Sequence, residues 1–263
     1  MNKHLKSHKT ALVTGASGGL GLEFARLLAK KKYDLVLVAR NAGKLNGIKD
    51  ALEKEYGVTA WVCPCDLSRV DAALGVYQFA QAHDLEIDVL INNAGFGDSG
   101  RFAECDWQRQ YEMVQVDITA LMQLTHCFLP GMIERGQGRI LNLSSVAAFC
   151  AGPGMSVYYA SKAFVRSFSE AVAEEVKGTG VTVTALCPGP TATGFEAAAD
   201  MGSGSKMFKK AARPEDVAKA GLRALRLGKV LCYHGAFTKC MSFLSRLVPR
   251  SVTRKYAGRM DNK

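Results

Sequence analysis

Short apolar runs alternate with longer amphipathic segments along the chain. The runs are KTALVTG (9–15), YDLVLVAR (33–40), VTAWVCPCD (58–66), DVLINNAG (88–95), GRILNLSS (138–145) and VTVTALCPG (181–189). Strands that are apolar at nearly every position indicate a parallel sheet buried on both faces. The segments between them, such as LGLEFARLLAKKK (20–32), have the apolar spacing of helices. With right-handed crossovers, this pattern predicts an α/β fold of the doubly wound, Rossmann type, with helices on both faces of the sheet.

The carboxyl ends of the predicted strands carry the candidate functional residues. These are Gly15, Arg40, Asp66, Asn92, Ser145 and Pro188. Because ligands of doubly wound sheets bind at this edge, we expect these distant positions to converge on one cleft. The chain has no internal repeat and no Pro/Gly/Ser-rich linker, so residues 1–263 are predicted to form a single domain.

Two segments stand apart from this pattern. Residues 194–213 are rich in Gly, Ala, Ser and Lys and are predicted to form a mobile flap. The tail, 237–263, carries Phe237, Met241, Leu244 and Val248 at helical spacing, with lysines and arginines between them. It is predicted to be a basic amphipathic helix that packs on its own domain or on a partner subunit. Docking on a membrane surface is the alternative.

Composition narrows the functional classes. Of the 263 residues, 48% are hydrophobic and 22% are charged, as in ordinary globular proteins. The net charge of +10 is spread along the chain, which favours a general solubility charge over nucleic-acid binding. The eight cysteines lack metal-binding spacing, so we expect no metal site and reduced thiols in a cytoplasmic protein. No run of about 18 consecutive apolar residues indicates a membrane-spanning helix.

The segment TGASGGLG (14–21) follows a predicted strand and opens a predicted helix. Glycines allow a tight turn there and a close approach of the backbone to a pyrophosphate, whose charge a helix N-terminus favours. In this context the segment predicts a dinucleotide-binding turn.

The end of the second strand indicates which dinucleotide is bound. An acidic residue there would bond the ribose hydroxyls and repel a 2′-phosphate. This chain instead has Ala39, Arg40 and Asn41, with Lys44 one turn later. A guanidinium grips a phosphate with two hydrogen bonds, so NADP(H) is the predicted cofactor.

These motifs, taken together and in order, resemble the short-chain dehydrogenase/reductase family over essentially the whole chain. The landmarks are Thr14, Gly15, Gly19 and Gly21 of T-G-x-x-x-G-x-G; Asp66 after the third strand; Asn92 to Gly95 as N-N-A-G; Ser145; Tyr158 and Lys162 of Y-x-x-x-K; and Pro188, Gly189 and Thr193 of P-G-x-x-x-T. The resemblance implies an oxidoreductase that transfers a hydride between a nicotinamide and a substrate.

The resemblance also selects one of two adjacent tyrosines. Tyr158 lies four residues before Lys162 and thirteen after Ser145, which is the family's catalytic position. Helical spacing alone allows either Tyr158 or Tyr159 to neighbour Lys162. The implied roles are a substrate-positioning Ser145, a general acid/base Tyr158, and a Lys162 that lowers the pKa of the phenol and binds the nicotinamide ribose.

The resemblance implies a full set of site residues. The cofactor contacts are Gly15, Ser17, Gly19, Leu20, Gly21, Arg40, Asn41, Asp66, Leu67, Asn92, Ala94, Gly95, Tyr158, Lys162, Pro188, Gly189, Thr191 and Thr193. The catalytic set is Ser145, Tyr158, Lys162 and Asp117. Met155, Phe149, Cys150 and the flap are expected to line a largely apolar substrate pocket. Helices within 107–135 and 156–178 are expected to form a homodimer or homotetramer.

Three functions remain open. The favoured one is an NADP(H)-dependent reductase or dehydrogenase of a carbonyl or secondary alcohol. A 3-oxoacyl thioester reductase is the first alternative, because Lys206, Lys209, Lys210 and Arg213 on the flap suit an acidic carrier. A catalytically idle NADP(H)-binding regulator is the second, and the presence of Ser145, Tyr158 and Lys162 argues against it.

Asp117 departs from the family, which usually has an asparagine at this position. An ionised carboxylate is costly to bury unless it is paired. We expect Asp117 to be protonated, with its main-chain carbonyl rather than its side chain facing Lys162. The alternative is a direct pair between the Asp117 carboxylate and the Lys162 ammonium.

Overall fold

Parallel strands build one sheet in the computed structural model, which describes residues 8–195, 199 and 211–261. The seven strands in this part are β1 (Thr10–Thr14), β2 (Asp34–Ala39), β3 (Ala60–Pro64), β4 (Ile87–Asn92), β5 (Gly138–Leu143), β6 (Val181–Pro188) and β7 (Leu231–His234). Their order is β3-β2-β1-β4-β5-β6-β7, and every neighbouring pair is parallel. The order reverses between β1 and β4, which is where doubly wound folds bind ligands. The predicted fold class is confirmed.

Helices cover both faces of the sheet. They are α1 (Gly19–Lys30), α2 (Ala42–Tyr56), α3 (Ala72–Ala82), α4 (Trp107–Val114), α5 (Leu121–Glu134), α6 (Ser156–Glu175), α7 (Pro214–Arg226), α8 (Ala236–Leu247) and α9 (Arg250–Asp261). On one face, Phe24 of α1 and Leu222 of α7 pack with Leu35 and Leu37 of the sheet. On the other face, Phe128 of α5 packs in a second core with Leu12 and Leu90 of the sheet. The near-continuous apolar strands are therefore buried from both sides.

A π-helical turn, Gln115–Ala120, joins α4 to α5. Such turns are rare and occur mostly at functional sites, because the extra residue redirects the side chains around it. The whole helical segment Trp107–Glu134 is long and apolar enough to cross a membrane by length and composition. In this fold, however, Met113, Leu124, Phe128 and Met132 of the segment are buried in the protein core. One side of this segment therefore belongs to the protein core.

The structure describes little of the predicted flap but nearly all of the predicted tail. Most of the predicted flap, 194–213, lies outside the described residues, so its mobility stays a prediction. The predicted tail contains two helices, α8 and α9, instead of one. Pro249 separates them, since a proline cannot continue the hydrogen-bonding of the preceding helix.

Candidate functional site

The glycine-rich turn between β1 and α1 is shaped by close backbone contacts. Gly15 has φ 66°, a left-handed conformation that favours glycine. A Cβ on Gly21 would lie 2.1 Å from the carbonyl oxygen of Gly15, so only glycine lets α1 start this close to β1. Gly21 is therefore a packing glycine that shapes the turn, whereas Gly15, Ser17, Gly19 and Leu20 line the adjoining cleft.

Thr14 and Asn93 form hydrogen bonds between β1 and β4, where the strand order reverses. The Thr14 hydroxyl accepts hydrogen bonds from the backbone N–H groups of Asn93 and Ala94, both at 2.9 Å. The Asn93 side-chain amide donates to the carbonyl oxygen of Thr14 at 2.9 Å. These bonds tie the end of β4 to the end of β1, so the two walls of the cleft keep a constant separation. Asn93 was missing from the predicted site.

The second and third strands open into a cleft of about 520 Å³. Arg40, Asn41, Asp66 and Leu67 all line it, as predicted from the sequence, together with Lys44. The Asn41 side chain accepts from the backbone N–H of Lys44 at 2.9 Å and so caps the start of α2. Arg40 is exposed at this mouth, where its guanidinium can reach a bound anion.

Asp66 is held in an ionised, hydrogen-bonded state at the floor of this cleft. Its carboxylate accepts from the Ser68 hydroxyl at 2.8 Å and from the Ser68 backbone N–H at 3.2 Å. Burial opposes ionisation, but these bonds and the charges of Arg40 and Arg69 lower the pKa of Asp66. The carboxylate is therefore a fixed hydrogen-bond acceptor beside Arg40.

A second part of the cleft, about 340 Å³, runs along the N-terminus of α1. It shares Gly15, Ser17, Ala94 and Gly95 with the first part and extends to Thr193. Because its wall at Gly18 and Gly19 is bare backbone next to a helix N-terminus, it suits a pyrophosphate. The continuous groove from Arg40 to Thr193 therefore fits a dinucleotide.

Asn92 does not line this groove, contrary to the prediction. It is 2% exposed, and its amide donates to the Thr125 hydroxyl at 3.1 Å and to the Asn142 carbonyl oxygen at 2.9 Å. Successive residues of a strand point to opposite faces. Asn92 therefore faces α5, whereas its neighbour Asn93 faces the groove.

Ser145, Tyr158 and Lys162 meet at an inner pocket of about 120 Å³. The Ser145 and Tyr158 side chains are neighbours in this pocket, and the Ser145 hydroxyl acts to lower the pKa of the Tyr158 phenol. The Ser145 oxygen also accepts from the backbone N–H of Ala147 at 3.1 Å, which leaves its own hydrogen for a ligand or for Tyr158. Lys162 Nζ lies 5.5 Å from the centre of the Tyr158 ring. The structure thus brings together three of the four predicted catalytic side chains.

The neighbouring tyrosine is also at this pocket but is more deeply packed. Tyr159 is 9% exposed, and its ring covers Gly152, where an added Cβ would lie 2.3 Å from the ring. Tyr158 is half-buried, and its ring contacts Phe195 at 5.1 Å between centroids. The Ser145 hydroxyl and the Lys162 ammonium both act to lower the pKa of Tyr158.

The remaining walls of the inner pocket are mainly apolar or backbone. They are formed by Leu20, Asn93, Gly95, Leu143, Ser144, Val146, Ala147, Met155, Pro188, Gly189, Pro190, Thr191, Thr193 and Phe195. Met155 is where the sequence predicted it. Phe149 and Cys150 do not line this pocket; the Phe149 ring packs against Tyr233 and under Arg166.

Asp117 is the fourth catalytic candidate, and its predicted geometry was wrong. Its carboxylate Oδ2 lies 3.0 Å from Lys162 Nζ and accepts from the Ser161 hydroxyl at 3.0 Å. Its Oδ1 accepts from the backbone N–H of Phe96 at 3.1 Å. Because Asp117 lies in the π turn, its side chain rather than its carbonyl faces the lysine. Two hydrogen-bond donors, the Ser161 hydroxyl and the Phe96 N–H, and an adjacent ammonium are the partners that a buried carboxylate needs.

This pair changes the electrostatics of both groups at the pocket. Burial acts to lower the pKa of Lys162, but the charges of Asp117 and Tyr158 outweigh it, and the pKa is raised. For Tyr158, burial is the largest influence and raises the pKa. Lys162 and the Ser145 hydrogen bond act in the opposite direction, whereas the Asp117 charge raises the pKa further. Tyr158 therefore stays a neutral phenol at physiological pH when the groove holds no ligand.

Comparisons with known proteins agree with this geometry. The family model described as short chain dehydrogenase matches residues 9–202. The ketoacyl reductase HetN of Nostoc sp. is 35% identical, over 94% of this chain and 88% of its own. A very-long-chain 3-oxoacyl-CoA reductase of Laccaria bicolor is 34% identical, over 67% of this chain and 53% of its own. A solved short-chain dehydrogenase from Sphingobium yanoikuyae, in complex with NADPH, has a TM-score of 0.82 and 30% identity, covering 91% and 94% of the two chains.

Removing one partner of the buried pair should destabilise the fold. Asp117→Leu leaves the Lys162 ammonium buried without a counter-charge, and we expect the free energy of unfolding to fall by about 3–5 kcal/mol. Asp117→Asn also removes the counter-charge, but it keeps an acceptor for the Phe96 N–H, so its cost should be smaller than that of Asp117→Leu. The pKa of Lys162 is raised in the folded state. The pair therefore stabilises the fold at every pH below the pKa that Lys162 has in the unfolded chain, which includes neutral pH.

Urea unfolding at pH 7 measures both losses. Asp50→Asn, at an exposed position on α2, is the matched control for removing one carboxylate charge and should be nearly neutral. If Asp117→Leu were as stable as the unchanged protein, the pair would contribute nothing to the fold.

Proposed function

We propose that this chain, which belongs to the short-chain dehydrogenase/reductase family, is an NADP(H)-dependent reductase or dehydrogenase of a carbonyl or secondary alcohol. Membership of the family makes it an oxidoreductase that uses a nicotinamide cofactor. The observation that carries the proposal is the meeting of Ser145, Tyr158 and Lys162 at an apolar pocket that adjoins the dinucleotide-sized groove. The bound nicotinamide would supply the hydride. The chain's own residues would bind the substrate and move a proton.

Tyr158 is the proposed general acid in the direction of reduction. Its raised pKa keeps the hydroxyl protonated at neutral pH, so a proton is available for a substrate oxygen. Ser145 would orient that oxygen by donating its remaining hydrogen. In the reverse direction the phenolate would take the proton from an alcohol, which requires a higher pH. The apolar walls at Met155 and Phe195 exclude water and favour an apolar substrate.

Lys162 and Asp117 are proposed to act as one unit. The ammonium holds the phenolate form of Tyr158 by charge, and the carboxylate partly cancels that charge. The Lys162 nitrogen is also 3.4 Å from the carbonyl oxygen of Leu143, so β5, α6 and the π turn orient it together. An oriented ammonium can bind a ribose hydroxyl without losing its position at the tyrosine.

The preference for NADP(H) rests on the mouth of the groove. No acidic side chain follows β2, and Arg40 and Lys44 line the cleft where a 2′-phosphate would be bound. The related Sphingobium protein is described as a complex with NADPH, which supports the same choice.

Reduction of a 3-oxoacyl thioester is the second candidate, since the Nostoc relative is named a ketoacyl reductase and the Laccaria relative a very-long-chain 3-oxoacyl-CoA reductase. Among the flap residues proposed to receive an acidic carrier, Lys206, Lys209 and Lys210 lie outside the described residues. Arg213 is already paired with Glu215 at 2.8 Å and Asp216 at 3.4 Å. The carrier proposal therefore has no support from Arg213.

A turnover screen distinguishes these functions. NADPH absorbance is followed with bulky ketones, 3-oxoacyl-CoA and 3-oxoacyl thioesters of short model thiols. Turnover of ketones with a far lower kcat/KM for thioesters supports the first proposal, and the opposite ratio supports the second. NADPH binding without turnover of any compound would point to the idle regulator.

Self-association and location remain predictions. The exposed side chains of Trp107, Tyr111, Met122 and Ile133 on α4 and α5 are 36–69% accessible, and they support a homodimer or homotetramer formed through the helices within 107–135 and 156–178. A cytoplasmic location stays an expectation from the cysteine content alone.

The cofactor preference is tested at Arg40. NADPH should bind at least about tenfold more tightly than NADH. Arg40→Ala should weaken NADPH binding about tenfold or more, because hydrogen bonds to charged groups contribute about 1.5–3 kcal/mol, and should leave NADH nearly unchanged. Calorimetric titration measures both affinities. Lys54→Ala, at the far end of α2, removes the same charge and should change neither. Equal affinities for both cofactors in the unchanged protein would contradict the preference.

The tyrosine assignment is tested by a matched pair. Tyr158→Phe should lower kcat by about 10²- to 10⁴-fold and leave NADPH binding intact, since only the proton donor is lost. Tyr159→Phe should be mild, because the ring that covers Gly152 is retained. Steady-state kinetics and cofactor titration on both variants give the comparison. The reverse order of effects would move the acid to Tyr159.

The role of the carboxylate is tested by the pH dependence of alcohol oxidation. Asp117→Asn removes a charge that raises the pKa of Tyr158, so the rise of kcat/KM with pH should occur at lower pH than in the unchanged protein. The variant should remain active. Asp50→Asn should leave the profile in place. A collapse of kcat in Asp117→Asn at every pH would mean that the carboxylate itself transfers protons.

A further inference from the structure

Helix α8 turns its polar side inward and its apolar side outward. Thr238 is fully buried and Ser242 is 8% exposed. By contrast, Phe243 is 64% exposed and Leu247 is 67% exposed. Phe237 and Leu244, at 41% and 39%, lie on the same outer side. An amphipathic helix that packs on its own domain buries its apolar side, so α8 has the opposite orientation.

The inward side of α8 has a local reason to be small and polar. A Cβ on Gly189, at the end of β6, would lie 3.2 Å from the Thr238 hydroxyl oxygen. Bulky side chains would not fit at this close contact. At about 100° per residue, Phe237, Phe243, Leu244 and Leu247 then fall within one stripe about 120° wide on the opposite side. We call these four side chains the outer apolar face.

The charges beside this face are all of one sign. Residues 236–260 contain Lys239, Arg246, Arg250, Arg254, Lys255 and Arg259, and no Asp or Glu. Lys239, Arg246 and Arg250 are exposed, and none has an ion-pair partner within the described part of the chain. On α9, Val252 and Tyr256 are 53% and 52% exposed and continue the apolar surface. The surface therefore combines exposed apolar side chains with uncompensated positive charge.

We propose that the outer apolar face docks on an anionic membrane surface, with the lysines and arginines of α8 and α9 at the phosphate headgroups. Helices that lie in a membrane interface combine an apolar side with a cationic flank in this way. A second copy of the chain fits less well. A two-fold pairing of this face would bring its cationic residues against one another with no acidic partner in the segment.

Docking by this face would also orient the substrate pocket. Gly189, which contacts Thr238 on the inner side of α8, lines that pocket. A helix with its side chains is about 10–12 Å across. One helix diameter would therefore separate a pocket wall from the lipid headgroups.

Vesicle binding tests the proposal. The purified full chain is mixed with vesicles of phosphatidylcholine alone, or of phosphatidylcholine with phosphatidylglycerol, and bound protein is measured by sedimentation. We expect binding to the anionic vesicles, weakened by salt. Phe243→Ser with Leu247→Ser should lower the binding constant about tenfold or more. Arg250→Gln with Arg254→Gln should lower it about fivefold for each charge removed.

A matched control keeps the result specific. Val70→Ser with Leu227→Ser changes two side chains of similar exposure, 70% and 54%, outside α8 and α9, and should leave vesicle binding unchanged. Circular dichroism and NADPH affinity report whether each variant is folded. Light scattering reports the oligomeric state of each one.

Three outcomes would overturn the proposal. Equal binding to neutral and anionic vesicles would remove the role of charge. Vesicle binding by the folded Phe243→Ser, Leu247→Ser variant at the level of the unchanged chain would remove the role of the face. Absence of vesicle binding by the unchanged chain, together with a smaller oligomer in the Phe243→Ser, Leu247→Ser variant, would assign the face to a second copy of the chain.

Discussion

The buried pair of Asp117 and Lys162 is the constraint on which the geometry of the site depends. The two residues are 1% and 4% exposed, and their charged atoms are 3.0 Å apart. The pair joins the π turn to α6, and the bond from Phe96 to Asp117 adds the loop after β4. A Cβ on Gly95 would lie 2.7 Å from the Asp117 carboxylate and 3.1 Å from the Lys162 nitrogen. The loop can therefore cross the pair only with glycine at this position.

A buried pair of this kind contributes geometry more than net stability. The cost of removing two charges from water offsets much of their attraction, so comparable pairs are weak evidence for stability on their own. Here the pair fixes where the ammonium stands relative to Tyr158, and it sets how much of the positive charge the phenol experiences. The same carboxylate thus keeps the lysine charged and keeps the tyrosine protonated, two conditions that suit a proton donor.

Much of this architecture could be predicted from the sequence, and the exceptions have physical reasons. The sheet follows from strands that are apolar on both faces, and the groove follows from glycines at Gly15 and Gly21 that only a tight strand–turn–helix junction requires. The direction of the Asp117 side chain was missed because it depends on a π turn that no local pattern specifies. Asn92 was misplaced because adjacent strand residues face opposite sides. The spacing of Phe237 and Leu244 revealed an apolar stripe on α8 but not which way it points.

Asn92, which the sequence analysis assigned to the groove, helps to fix the relative positions of the catalytic side chains. Its amide bonds to Asn142 on β5, and the Asn142 amide donates in turn to the Ser169 hydroxyl of α6 at 3.0 Å. Buried polar groups of this kind are costly unless they meet their partners, so a slip of β4 against β5 would break the bond from Asn92 to Asn142, and a shift of α6 would break the bond from Asn142 to Ser169. Ser145 follows β5, and Lys162 lies two turns before Ser169 on α6. The hydrogen-bonded chain beneath the pocket therefore sets the distance between the serine and the lysine above it.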